Sequence, residues 1–106
     1  MGEKSSQEPR LETQEYAEYF RTLAIIKEVL SECGLNAREY SDEIIIEQLK
    51  NRYTFPIAHD GLDGIRASRN REGGLTVSFT NGFEDPENKK RIEVTAALRE
   101  KGIRSV

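Results

Sequence analysis

The stretch IRASRNREGGLTVSF, residues 65–79, predicts a β-hairpin, because apolar and polar residues alternate on both sides of a glycine pair. One pairing register puts every apolar side chain of the two strands on the same face. Its pairs are Ile65 with Phe79, Ala67 with Val77 and Arg69 with Leu75. This register leaves a three-residue loop, 71–73, in which Gly73 takes the left-handed position. The neighbouring register would set Arg66 against Phe79, so we reject it.

A third strand is expected ahead of the hairpin, where residues 53–58 alternate in the same way. Pro56 has no backbone N–H to donate, which suits an edge strand better than a central one. Two Asp-Gly pairs between residues 59 and 64 predict the connecting turn. The result is a small antiparallel three-stranded meander with one polar, solvated face. That face carries Arg66, Ser68, Asn70, Thr76, Ser78 and Thr80.

An amphipathic helix is predicted before this meander, with Thr13 as its N-cap and Gly34 just after its end. Apolar residues recur along it at helical spacing. They are Tyr16, Tyr19, Phe20, Leu23, Ile26, Leu30 and Cys33. The polar residues ahead of the helix, 1–12, predict a flexible tail, because nothing there offsets the entropy of ordering the chain.

Two more helices are predicted, each with a strand as the open alternative. Ser41 caps a helix to about Asn51, although the β-branched run 44–46 could equally open a strand. Asp85 and the proline after it begin the last helix, and Gly102 ends it. The apolar residues between 91 and 98 alternate as they would in a strand. Residues 103–106 are a further candidate for a short terminal strand.

These elements predict an α+β fold with a single domain over residues 13–106. A chain of 106 residues has too little material for a second independent core. We expect the two N-terminal helices and the C-terminal helix to pack on one face of the three-stranded meander, because that face carries the apolar side chains.

The net charge limits the classes of partner, and the cysteine content indicates the cellular compartment. The formal net charge of −3 divides into −4 for residues 1–53 and +1 for residues 54–106. That is unlike the strongly basic footprint of a domain built to hold a phosphate backbone. The single Cys33 forms no internal disulfide, which favours a reducing compartment, so we expect a cytoplasmic protein. No apolar run is long enough for a membrane span or a secretion signal, and no membrane partner is expected.

No catalytic set or metal site is expected, so enzyme activity is not favoured. His59, Asp60 and Asp63 lie within five residues, yet they are interpreted as turn residues, since a metal would need further ligands elsewhere. A metal-dependent hydrolase centred on these three residues stays a minor alternative. Cys33 lies on the apolar stripe of the first helix, where a buried, inert thiol is the ordinary expectation. No phosphate-binding or dinucleotide motif occurs, and no cofactor is predicted.

The first helix offers the leading hypothesis for function, a non-catalytic interaction or regulatory protein. Tyr16 and Tyr19 are suited to interfaces as well as to cores. Ile25 and Val29 lie off the main stripe and are expected to be exposed, so the apolar arc exceeds what one small sheet covers. This excess suggests a second contact, either with the second helix or with another copy of the chain. The leading hypothesis is a protein partner at these four residues, including a homodimer.

Arginines around the hairpin support the alternative hypothesis, a nucleic-acid-binding accessory protein. Arg66, Arg69 and Arg71 would contact phosphates from the polar sheet face. The acidic residues in the same half of the chain offset this basic patch. Neither a protein partner nor a nucleic acid can be identified from the sequence.

Overall fold

A five-stranded sheet with helices packed against it forms the part of the chain that the computed structural model describes, residues 15–59, 64–80 and 89–106. In these ranges there are three helices and five strands. Their bounds are α1 Ala17–Glu32, β1 Asn36–Ala37, α2 Asp42–Lys50, β2 Phe55–His59, β3 Ile65–Arg69, β4 Leu75–Phe79, α3 Lys89–Glu100 and β5 Arg104–Ser105. The predicted α+β class is confirmed.

The sheet is larger than the expected meander and is mixed rather than antiparallel. Its order is β1-β2-β3-β4-β5, with the first three pairings antiparallel and β4–β5 parallel. The predicted meander is its central part, β2-β3-β4. The two additional strands have two residues each, too short to show an alternating pattern. β1 also separates the two N-terminal helices, and β5 falls inside the candidate terminal strand 103–106.

The hairpin forms in the predicted register. Ile65 pairs with Phe79, Ala67 with Val77 and Arg69 with Leu75. Gly73 has a φ of 86°, the left-handed conformation expected of it. The side-chain oxygen of Asn70 accepts hydrogen bonds from the N–H groups of Glu72 and Gly74, both at 3.0 Å. A side chain therefore holds the turn shape in addition to the glycine.

β2 departs from the predicted edge position, since it lies between β1 and β3. Pro56 is tolerated there because β1 pairs only with Ala58 and His59. The register against β3 shifts between Pro56 and Ala58, a bulge that puts Ile57 and Ala58 opposite the single residue Ile65. Both bulge residues are buried, which simple alternation does not predict.

The two ambiguous segments are both helices. Ser41 caps α2, its Oγ accepting a hydrogen bond from the Ile44 N–H at 3.4 Å. Gly34 follows the end of α1 with a φ of 82°, as expected of a C′ glycine. The predicted caps Thr13 and Asp85 and the tail 1–12 lie outside the described residues. Among the helices described, none is long and apolar enough to cross a membrane.

The helices pack on the apolar face of the sheet and form one core cluster with it. Inward-facing strand residues such as Ile65 and Val77 are fully buried, while Arg66 and Ser78 on the opposite face are half-buried. α1 contacts β1, β4 and α3, and α3 contacts β5. The hairpin alternation therefore correctly identified which sheet face the helices cover.

The β3–β4 turn provides a test of this geometry. We expect Gly73→Ala to lower the free energy of unfolding by about 1 kcal/mol, because a Cβ disfavours the left-handed conformation. The matched control is Gly74→Ala, whose Cβ would meet only the Asn70 side chain at ordinary distances of 3.7 and 3.8 Å. It should change stability by less than about 0.5 kcal/mol in urea unfolding. Equal effects of the two substitutions would contradict the turn assignment.

Candidate functional site

The four predicted contact residues of α1 are mostly taken up by the core of the single chain. Tyr16, Tyr19 and Val29 are buried, and Ile25 is half-buried against the same cluster. The expected exposure of Val29 is wrong, since only 1% of the residue is accessible. The reason is that α1 is covered by α3 as well as by the sheet. Its wide apolar arc has partners within this chain.

Arg69 lies on the helix-covered face of the sheet. Its Nε donates to the Tyr19 hydroxyl at 2.8 Å, and its Nη1 donates to the backbone carbonyl of Leu49 at 3.1 Å. The guanidinium carbon lies 5.6 Å from the Tyr16 ring centroid and 5.1 Å from that of Tyr19, within cation–π range. The hydrogen bond to Tyr19 raises the pKa of Arg69. One side chain thus ties β3 to α1 and to the C-terminal end of α2.

The other two arginines of the predicted basic patch lie elsewhere. Arg66 is on the opposite sheet face, where its Nη2 donates to the Thr54 carbonyl at 3.2 Å. Arg71 is exposed in the β3–β4 turn. The structure therefore does not bring Arg66, Arg69 and Arg71 together on one surface.

A cleft of about 380 Å³ lies between α1, the β3–β4 turn and the junction of α3 with β5. Ile25 and Leu75 contribute apolar surface to it. Glu72 also lines the cleft and forms an ion pair of 2.9 Å with Arg104, both side chains being more than half exposed. An exposed pair of this kind contributes little stability. Ile25 is accessible from this cleft. The residues that line the cleft include no nucleophile next to a base.

Cys33 is a free, buried cysteine, as expected. Burial raises the pKa of its thiol, and the carboxylate of Glu93 raises it further. Lys90 Nζ donates to the Cys33 backbone carbonyl at 2.6 Å, which links α3 to the end of α1. Within the described ranges no group of three or more His, Cys, Asp or Glu residues could hold a metal ion. Asp60 and Asp63 lie outside those ranges.

The outward face of α3 is an accessible apolar surface that the sequence analysis did not identify. Ile92 is 65% exposed, and a shallow groove of about 330 Å³ surrounds it. We call this surface the α3 groove; its lining residues are Arg91, Ile92, Thr95, Ala96 and Arg99. Both arginines are exposed, and the Arg91 guanidinium lies 5.2 Å from the Phe79 ring centroid. The groove is therefore apolar at its centre and basic at its ends.

The sequence did contain a signal for this groove. Ile92 and Ala96 are four residues apart and share one side of the helix, while Val94 and Leu98 share the other. Val94 and Leu98 are fully buried. The alternation over 91–98 thus arises from a helix that carries apolar residues on two sides. Only one of these sides faces the core.

The Arg69 contacts predict a structural role that can be measured. We expect Arg69→Ala to reduce the free energy of unfolding by about 2 kcal/mol, because it removes two hydrogen bonds of a charged donor and the cation–π contacts. Tyr19→Phe keeps the ring and should cost about 1 kcal/mol. Arg71→Ala is the matched control and should stay within about 0.5 kcal/mol. Equal, small effects at positions 69 and 71 in denaturant unfolding would contradict this role.

The candidate surfaces are defined by the chain's own geometry. No protein-family model, no curated protein and no solved structure matches this chain. Since small α+β folds carry unrelated functions, a functional proposal has to rest on specific surface residues. Among the described residues, the α3 groove combines an exposed apolar centre with charged flanks.

Proposed function

We propose that this chain is a non-catalytic interaction protein that docks an acidic, amphipathic protein segment on the α3 groove. The observation that carries the proposal is the exposed Ile92 between two arginines. Ile92 is 65% exposed and lies outside the core cluster. Its burial against a partner would contribute on the order of 1–2 kcal/mol.

The chemistry of the groove supports an acidic partner. Arginine is enriched at interfaces because its planar group forms paired hydrogen bonds with carboxylates. Arg91 and Arg99 are eight residues apart, so about 12 Å of helix separates them. A helix that carries an apolar side chain between acidic residues would place that side chain over Ala96 and its carboxylates near the arginines. This is the helix-in-groove mode of recognition.

The proposal keeps the predicted class of function but changes the surface. Tyr16, Tyr19 and Val29 are buried, so they support an interface only indirectly, through the core beneath α3. The nucleic-acid alternative is supported less well, because Arg69 is held between tyrosines and the remaining hairpin arginines diverge. An open basic stripe with stacking aromatics would have favoured it.

Binding by variants tests the groove. The immobilised chain is used to isolate partners, and each isolated protein is then purified and titrated against the variants. We expect Ile92→Asp and Arg99→Glu each to weaken its binding by about tenfold or more, because they bury a carboxylate or repel an acidic partner. Val106→Asp is the control, since Val106 is 79% exposed and does not line the groove.

Three outcomes would count against the proposal. Unchanged binding by Ile92→Asp would show that the partner docks elsewhere. An equal loss with Val106→Asp would point to a general effect of added charge. Salt-dependent retention of DNA that is lost in Arg66→Ala and Arg71→Ala, with the α3 variants unaffected, would favour the nucleic-acid alternative.

A further inference from the structure

α2 presents an exposed face whose chemistry is the counterpart of the α3 groove. Ile44 is 45% exposed, and the neighbouring side chains of Glu43 and Glu47 are exposed as well. We call these three residues the acidic α2 face. The Ser41 cap and the Arg69 bond to the Leu49 carbonyl fix both ends of this helix. The face is therefore held on a fixed element rather than on a loop.

The two faces are opposite in charge, and the acidic pair is short enough to lie between the two arginines. α2 carries a formal charge of −2 and α3 one of +2. Glu43 and Glu47 are one helical turn apart, about 6 Å, which fits within the roughly 12 Å between Arg91 and Arg99. Each face has one exposed isoleucine. The small side chain of Ala96, next to Ile92, leaves room for an incoming aliphatic residue.

We propose that the α3 groove of one copy binds the acidic α2 face of a second copy, so that the chain associates with itself head to tail. This rests on the proposed function and names its partner. The occupant is a second copy because this chain itself supplies an exposed apolar side chain beside two acids on a fixed helix. Ile44 would pack beside Ile92 over Ala96, with Glu43 and Glu47 toward the arginines.

The placement of the two helices favours contact between copies over contact within one. α3 packs on β5, at one edge of the sheet. α2 is bonded to β3 through Arg69, and Tyr40 just before it donates to the Pro56 carbonyl of β2 at 2.7 Å. Each copy would use both faces at once, which is a heterologous contact that closes into a ring or continues as a chain.

The size of the contact sets its strength. Two single helix faces bury less than the roughly 1,200 Å² of a standard stable interface, so the association should be weak and reversible. Its charged flanks should make it sensitive to salt, because about 1 M salt shortens the screening length to about 3 Å. The average mass in solution should therefore rise with protein concentration and fall when salt is added.

Charge reversal tests the pairing by sedimentation equilibrium of the full chain. We expect E43K/E47K to abolish self-association, because both faces of that variant are then basic. R91E/R99E should abolish it as well, because both faces are then acidic. An equimolar mixture of the two variants should associate again, since each then offers a face complementary to the other. If either variant had lost association because it was unfolded, mixing the two would not restore it.

The matched control is E28K/E32K, which makes the same charge change at the same spacing on the exposed side of α1. It should self-associate like the unmodified chain. Circular dichroism and thermal unfolding establish that every variant is folded. Ile44→Ser provides a second route, because it removes the apolar contact without altering any charge and should weaken association about tenfold.

Several results would overturn the inference. A monomer at all concentrations up to the millimolar range excludes self-association, yet the proposed function would stand if a different partner still needs Ile92. Self-association that survives E43K/E47K, or that the mixed variants fail to restore, shows that other surfaces carry it. Loss of association in E28K/E32K would show that overall charge, and not the acidic α2 face, is responsible.

Discussion

The packing of Arg69 against Tyr16 and Tyr19 is the constraint that joins the two N-terminal helices to the sheet. Arg69 is half-buried on the covered face of the sheet, so acceptors offset the partial loss of water around its charge. Here the Tyr19 hydroxyl and the Leu49 carbonyl supply them. The Leu49 carbonyl, which also accepts from the Arg52 N–H at 3.2 Å, lies at the C-terminal end of α2, where a positive charge is favourable. Arg69 thus contributes to the position of α2 relative to α1, together with the burial of Ile45, Ile46 and Leu49 in the shared core.

The local part of the fold could be predicted from the sequence, and the long-range part could not. The hairpin register, the Ser41 cap and the left-handed Gly34 each depend on residues close together in the chain. The two-residue strands have no pattern of their own and exist through pairing with distant strands. The cover that α3 gives to α1 likewise comes from a helix more than 50 residues away in the chain. The placement of Arg69 on the polar sheet face was avoidable, because the predicted register pairs it with Leu75 and so puts it on the inward face.

The candidate site shows the same division. α1 does have a wide apolar arc. Whether other elements of the same chain bury that arc could be judged only from the structure. The apolar residues of α3 lie on two sides of the predicted helix, but the outward pair was not recognised as a surface, because the alternation kept a strand open as the alternative. In a small α+β chain, an apolar residue that fits neither the helical nor the strand period should be considered as a surface residue before it is assigned to the core.

The parallel pairing of β5 with β4 has a consequence for the solubility of the chain. β4 contains alternating Leu75, Val77 and Phe79, a sequence of the kind that recruits strands from other molecules when its edge is open. β5 covers Thr76 and Val77, and the N–H of Val106 adds a bond to the Val77 carbonyl. Residues 104–106 therefore cover the edge of β4. Their detachment would turn a paired strand into a template for aggregation.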